Sequence, residues 1–338
     1  MTRKVLITTA LLATMTVAKM YGDDPHYSFL DLSASSHIHS LGMVNISTVE
    51  DNIMTVDQNP GLLGSEMSNQ LGISYMHYLN NINFGEVVFC HSIGINSAWQ
   101  ASIRYLNYGK IDSYDENGNA LGRISPSDFV FSGGYTREFS ETIRGGFLLK
   151  TIYSSYDEYW AMALGVDLGV NYYDIDRDLS LSAVISNLGG QVKRFDIEYN
   201  RLPVDVRLGW TQSFAQFPVR FSVTAFNLTK WHLPYIKPGD GSVNSQSKVI
   251  DNFGSNLLRH FIFGADIIPS DKFHFAIGYN YKTATDMASD NRNFISGFAV
   301  GAGLKIKGFN VDVSYSHPCS GASVLMLNLT LDFKALIK

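Results

Sequence analysis

Residues able to do chemistry are present in this 338-residue chain, but few stand at spacings that chemistry requires. Asp174, Asp176 and Asp178 alternate along a short segment and offer the carboxylate oxygens that calcium prefers. Arg177 interrupts them and no Gly-x5-Glu follows, so the spacing favours a solvated turn. His37 and His39 place two imidazoles close together, without the further ligands that a metal site needs. Serine, histidine and aspartate all occur, yet no G-x-S-x-G or comparable nucleophile signature does. No catalytic residue, metal or cofactor is assigned, and the expectation is a protein that is not an enzyme.

The elements that would carry any site are strands. Charged residues make up 17% of the chain and apolar ones 45%, while mean hydropathy is near zero. Apolar and polar residues must therefore be interleaved. Period-two alternation starts near Leu71 and runs almost to the end. Trp99, Ala101, Ile103 and Tyr105 alternate with Gln100, Ser102 and Arg104; Phe309, Val311, Val313 and Tyr315 alternate with Asn310, Asp312 and Ser314. Greasy and polar faces in this order suit a lipid-facing barrel. Fourteen strands are predicted, near 70–78, 82–92, 96–107, 128–138, 142–154, 158–173, 178–187, 203–214, 219–227, 259–269, 273–282, 294–306, 309–317 and 323–334.

Loop lengths support a membrane barrel over a soluble β-sandwich. Connections after even-numbered strands are all short, and every long connection (108–127, 188–202, 228–258, 283–293) follows an odd-numbered one. Outer-membrane barrels keep short periplasmic turns and long external loops. With an even strand count both termini fall on the periplasmic side. The N-terminus reads as an export signal: Arg3 and Lys4, an apolar stretch from Val5 to Val17, and Thr16-Val17-Ala18 as a cleavage site, with cutting after Gly22 as the alternative. Removal of residues 1–18 takes the formal net charge from −5 to −7. No basic block points to nucleic acid. The expected organisation is a signal peptide (1–18), an N-terminal periplasmic-side plug (24–69) and a 14-stranded antiparallel transmembrane β-barrel (70–334) in the outer membrane of a Gram-negative bacterium. A ring of that width exceeds the ~8 strands whose side chains can fill a lumen, which is why a plug is expected.

Within the plug, Leu41-Gly42 and Asn59-Pro60-Gly61 stand out, the latter a turn signal in its own right. This pattern is similar to the hatch of FadL-type barrels, with Gly61 where alanine is usual. The segments LGISYMHYLNNINFG (71–85), YLNYGKIDSYDENGNALG (105–122), VISNLG (184–189), LPVDVRLGWTQSF (202–214) and RFSVTAFNLTKW (220–231) resemble the PorQ family, a Bacteroidota relative of PorV within the FadL-like fold. The resemblance spans about residues 27–334. It implies a non-enzymatic subunit of the type IX secretion system attachment complex. Such a subunit would anchor a PorZ-like lipopolysaccharide-binding surface protein, alongside a PorU-like sortase and a PorV-like barrel.

Two loops are candidate partner surfaces: Trp231, His232, Leu233 and Tyr235 in the longest, and Tyr108 and Leu121 in 108–127, which Asn117-Gly118 should fold into a hairpin. Other partners expected are outer-membrane lipid and lipopolysaccharide. Cys90 and Cys319 are expected at opposite ends of their strands, too far apart to bridge, as two free thiols. The rival function is a FadL-like channel for hydrophobic compounds. The Ser, Asn, Arg, Asp and Thr on most inward faces argue mildly against it, with strands six and fourteen (Val324, Met326) as exceptions. A general porin is a weaker third reading, since a plug argues against it.

Overall fold

The computed structural model describes residues 25–78, 82–114, 120–156, 159–195, 199–214, 217–237, 248–286, 296–319 and 322–337; the expected signal peptide lies outside them. The described strands are β1 (Gln70–His77), β2 (Asn83–Ser92), β3 (Ser97–Asn107), β4 (Ile111–Tyr114), β5 (Ala120–Ile124), β6 (Ser127–Glu138), β7 (Ile143–Tyr156), β8 (Tyr159–Asp174), β9 (Leu179–Lys193), β10 (Asp205–Phe214), β11 (Phe217–Ala225), β12 (Tyr235–Lys237), β13 (Lys248–Ile250), β14 (Phe261–Ser270), β15 (Phe273–Asn280), β16 (Phe298–Ile306), β17 (Phe309–Cys319) and β18 (Ala322–Asp332). Fourteen close into one antiparallel barrel in which β1 pairs with both β2 and β18; β4–β5 and β12–β13 form separate two-stranded sheets. Closure leaves no unpaired edge, the condition for a sheet to sit in lipid.

Alternation decides which side chains meet the outside. On β18, Leu325 and Leu327 are exposed, while Val324, Met326 and Asn328 between them are buried. The same outward apolar exposure recurs at Leu149, Leu168, Phe221, Phe275 and Val311. Outward aromatics gather at two heights. Phe89–Trp99 and Tyr135–Phe147 lie toward the short-turn end; Tyr105–Phe129, Tyr153–Trp160 and Tyr279–Phe298 lie toward the long-loop end. An apolar band between two aromatic girdles is the signature of a lipid-facing wall.

The strand expectations need three corrections. β9 continues to Lys193 rather than stopping near 187. Asn187 takes a positive φ of 59° and sits in a bulge against Asp167, so the Asn-Leu-Gly-Gly stretch, which reads as a turn, carries the strand onward. Tyr281–Asp286 form a short helix instead of prolonging β15, with the Asn280 side chain accepting from Thr283 N. Phe333–Ile337 likewise turn into a helix after β18. The hairpin expected in 108–127 is present as β4–β5, with its 115–119 turn outside the described residues. Cys90 is a buried free thiol donating to Met67 O. It lies opposite Gln70, which pairs with Asp332, whereas Cys319 pairs with Ala322 at the far end of β18. The two backbones are thus at opposite ends of the wall.

Candidate functional site in the barrel lumen

Residues 27–69 are mostly buried, and they contact strands all round the ring. The segment carries five acidic residues and no Lys or Arg. Inward guanidinium groups meet four of them. Asp31 pairs with Arg207 of β10 at 2.7 Å, Glu50 with Arg220 of β11, Asp57 with Arg104 of β3, and Glu66 with Arg144 of β7 at 2.9 Å. Further charges on the wall complete these groups: Asp205 on Arg207, Glu86 on Arg104, Glu138 on Arg144, and Asp266 on Arg220. Buried charges cost several kcal/mol each unless paired in this way.

The densest cluster surrounds His37, on a short helix (Ser36–Ser40) capped by Ser35. Its Nδ1 faces Glu50 at 2.9 Å and its Nε2 faces Asp266 at 2.7 Å. Burial alone would lower the imidazole's pKa, but the two carboxylates outweigh it and hold it up at about 10, so His37 is a cation at neutral pH. Glu50 is correspondingly held well below the usual range: burial opposes ionisation, and His37 and Arg220 overcome it. His39, two residues on, meets only Ser314 and Ser316, and burial pushes it down to about 4. The two histidines therefore face different partners, His37 two carboxylates and His39 two serine hydroxyls. Among the described residues no cluster of three or more His, Cys, Asp or Glu could hold a metal ion. Asp174 instead accepts from Asp176 N and Arg177 N, closing a turn.

The motif residues hold tight backbone packing. Asn59 accepts from Gly61 N at 2.8 Å and donates to Ile46 O at 2.7 Å; Thr136 donates to Pro60 O at 2.6 Å. A Cβ on Gly61 would lie 2.9 Å from the Gly169 backbone, which accounts for glycine at this position. Gly42 has φ of 102° and directs Leu41 against Gly264 and Gly278 on the wall.

One part of the lumen is apolar. In the long-loop half of the arc from β18 through β8, Val324, Met326, Met76, Phe84, Leu106, Val130 and Ile152 turn inward and are buried. Tyr27, Phe29 and Leu30 of the N-terminal segment fill the space between them, with Met54 beneath. Tyr27 is tethered there by Gln191, which donates to its hydroxyl. This part of the site is not evident in the sequence, because residues 25–33 carry no motif. The space left over is divided. A cavity of about 400 Å³ opens toward the long loops beside Val44, Phe226 and Leu233, and one of about 260 Å³ toward the short turns beside Glu50, His274 and Asp312. A third, of about 30 Å³, lies near Arg104, Lys150 and Arg207. That is room for about one or two waters.

The loop candidates do not converge on one surface. Trp231 is exposed and stacks on His260 at 5.3 Å; His232 is exposed, 3.3 Å from Asp251. Leu233, in contrast, is buried, and Tyr235 lies under the Arg259 guanidinium. Tyr108, on another side of the ring, donates to Asp128 at 2.6 Å. Leu121 belongs to β5, and its side chain lies outside the described residues.

No protein-family profile and no curated protein matches the sequence. Solved structures do match the fold. The toluene transporter TodX of Pseudomonas putida aligns with a TM-score of 0.54 and 11% identity, covering 88% of this chain and 97% of that one. A Pseudomonas aeruginosa FadL homologue aligns at 0.50 and 11%, covering 89% and 98%. The monoaromatic hydrocarbon channel CymD aligns at 0.50 and 11%, covering 91% and 99%. The chain therefore has the FadL-like fold; identities this low carry the architecture alone.

Proposed function

We propose that this chain is an outer-membrane barrel of FadL type that admits hydrophobic compounds and is held shut here by its own N-terminal segment. The supporting observation is the apolar patch inside the barrel, which Tyr27, Phe29 and Leu30 occupy. Lumen walls facing only water have no reason to bury Phe84, Leu106, Val130 and Met326 together. With the segment as plug, displacement of residues 25–31 would uncover a greasy surface next to the 400 Å³ cavity. The long-loop end is then extracellular, and export uses the cleaved signal at residues 1–18. The reading involves no catalytic step or cofactor. The similar folds of a toluene transporter and a monoaromatic hydrocarbon channel suggest small aromatics as first substrates to try. Uptake of radiolabelled toluene by cells with and without the protein tests it. Uptake should fall on deletion and return on complementation, and unchanged uptake would reject the channel.

A second reading follows from the resemblance to PorQ: a subunit of the type IX secretion attachment complex. It is favoured by a barrel whose filling is tied to the wall by ion pairs on β3, β7, β10, β11 and β14, and by the exposed Trp231 and His232 above it. Affinity purification from the native outer membrane should then recover a sortase and a lipopolysaccharide-binding protein.

A further inference from the structure

The helix Phe253–Arg259 is packed the wrong way round for a helix in water. At about 100° per residue, Phe253, Gly254, Leu257 and Leu258 share one side, and Ser255, Asn256 and Arg259 share the other. The polar side is the buried one, with Asn256 1% and Arg259 2% exposed. Asn256 and Arg259 are wired into the loops, and Ser255 is held through its backbone. The Asn252 side chain caps Ser255 N, Asn256 donates to Asp251 at 2.7 Å and accepts from Leu233 N, and Arg259 donates to Thr285 and Asp286. The apolar side faces out, with Phe253 69%, Leu258 47% and Leu257 36% exposed. Those three side chains cannot be explained by a need to cover the protein's own core.

We infer that this helix lies along the outer leaflet, with Phe253, Leu257 and Leu258 inserted among lipid chains at the headgroup boundary; the inference rests on the barrel's being embedded in a membrane. Continuity carries it. The helix runs through His260 straight into β14, whose first residues include Phe261 and the outward Phe263. Phe263 sits opposite Tyr279, which packs on Phe298 in the long-loop girdle. The apolar side of the helix thus extends the lipid-facing belt by two turns. Trp231 packs on Phe253 at 5.5 Å and on His260 at 5.3 Å, placing an indole where interfacial anchors collect. A helix with a greasy face, a wired polar face and a neighbouring tryptophan is what an interfacial segment requires. A protein partner is the poorer fit, since stable protein interfaces engage roughly 20–30 residues a side and this face offers three large ones.

The test uses wild-type protein reconstituted in phosphatidylcholine vesicles containing a lipid with a photoreactive diazirine near the carbonyl end of its acyl chain. Trypsin separates Val249–Arg259, which holds the helix, from His260–Lys272, which holds Phe261 and Phe263. Illumination should label Phe253, Leu257 and Leu258 to within about twofold of Phe261 and Phe263. Replacing the three by serine should reduce labelling of the first peptide several-fold and leave the second unchanged. Label on Phe263 with none on the helix would overturn this inference and leave the barrel reading standing, pointing the face toward a protein. Absence of label from both peptides would overturn the two together.

Discussion

The lumen contains two kinds of filling, and they achieve burial by opposite means. Between β10 and β17 the N-terminal segment is held by charge: His37, Glu50, Arg220 and Asp266 satisfy one another, with Asp31 on Arg207 nearby. In the long-loop half of the β18-to-β8 arc it is held mainly by shape: Phe29 and Leu30 fill a hollow lined by Phe84, Val130 and Met326, with the Asp57–Arg104 pair at its edge. A charge cluster is intolerant of losing one member, because the others stay buried and unpaired. An apolar hollow loses only contact and area, and another apolar molecule can restore both. The first behaves as a fixed lock and the second as an exchangeable seat.

The largest effect should come from the lock. Arg220→Met leaves Glu50 and Asp266 with His37 as their one remaining close cation and should cost about 3–5 kcal/mol, read from urea unfolding in detergent. A loss under about 1 kcal/mol would mean that water already reaches the cluster. Phe29→Ala should cost about 3 kcal/mol by opening a hole in the seat. Here saturating toluene should restore part of the midpoint, by binding the folded form alone, and should do nothing for Arg220→Met. Equal rescue of both variants, or of neither, would remove the distinction.

Gly61→Ala tests the close backbone packing of the N-terminal segment on β8. Its new methyl would press on the Gly169 backbone, and a loss of about 1–3 kcal/mol is expected. Acidity gives a smaller and signed effect. The stability that His37 contributes is fully present below its unfolded pKa of 6.5 and drains away as pH rises toward about 10. Glu50, held low, contributes above its ordinary 4.5 and loses that in acid; His39, held at about 4, costs stability as pH falls below 6.5. Unfolding midpoints should therefore decline on both sides of neutrality, and His37→Gln should flatten the alkaline limb. Trp231→Ala with His232→Ala removes the indole's contacts with Phe253 and His260 and should cost about 1 kcal/mol. If the attachment reading is right, the same pair should lose its co-purifying partners.

Much of the wall was legible in the sequence, because lipid outside forces a period of two that nothing else needs to override. Val324 and Met326 could be picked out as inward apolar exceptions for that reason. β9 could not be bounded, since a positive-φ asparagine reads as a turn whether the chain turns or bulges. The lock was half visible: inward Arg104, Arg207 and Arg220 alternate with apolar residues, and residues 25–69 hold acids without bases. Which acid meets which guanidinium depends on how the segment folds across the ring, and no local pattern encodes that. The seat left no trace at all, because Tyr27, Phe29 and Leu30 have neither period nor motif outside the barrel that surrounds them.

Every neighbouring pair of strands in the ring is close in sequence except one, where Gln70–His77 meets Leu325–Asp332 across nearly the whole chain. Until that seam forms, the structure is an open sheet with two bare margins, which hydrocarbon does not tolerate. The segment that precedes β1 finds its ion-pair partners on β3, β7, β10 and β11, so the interior is completed by strands away from that seam. A chain shortened by its last eleven-residue strand should then fail at assembly, before any question of transport or attachment arises.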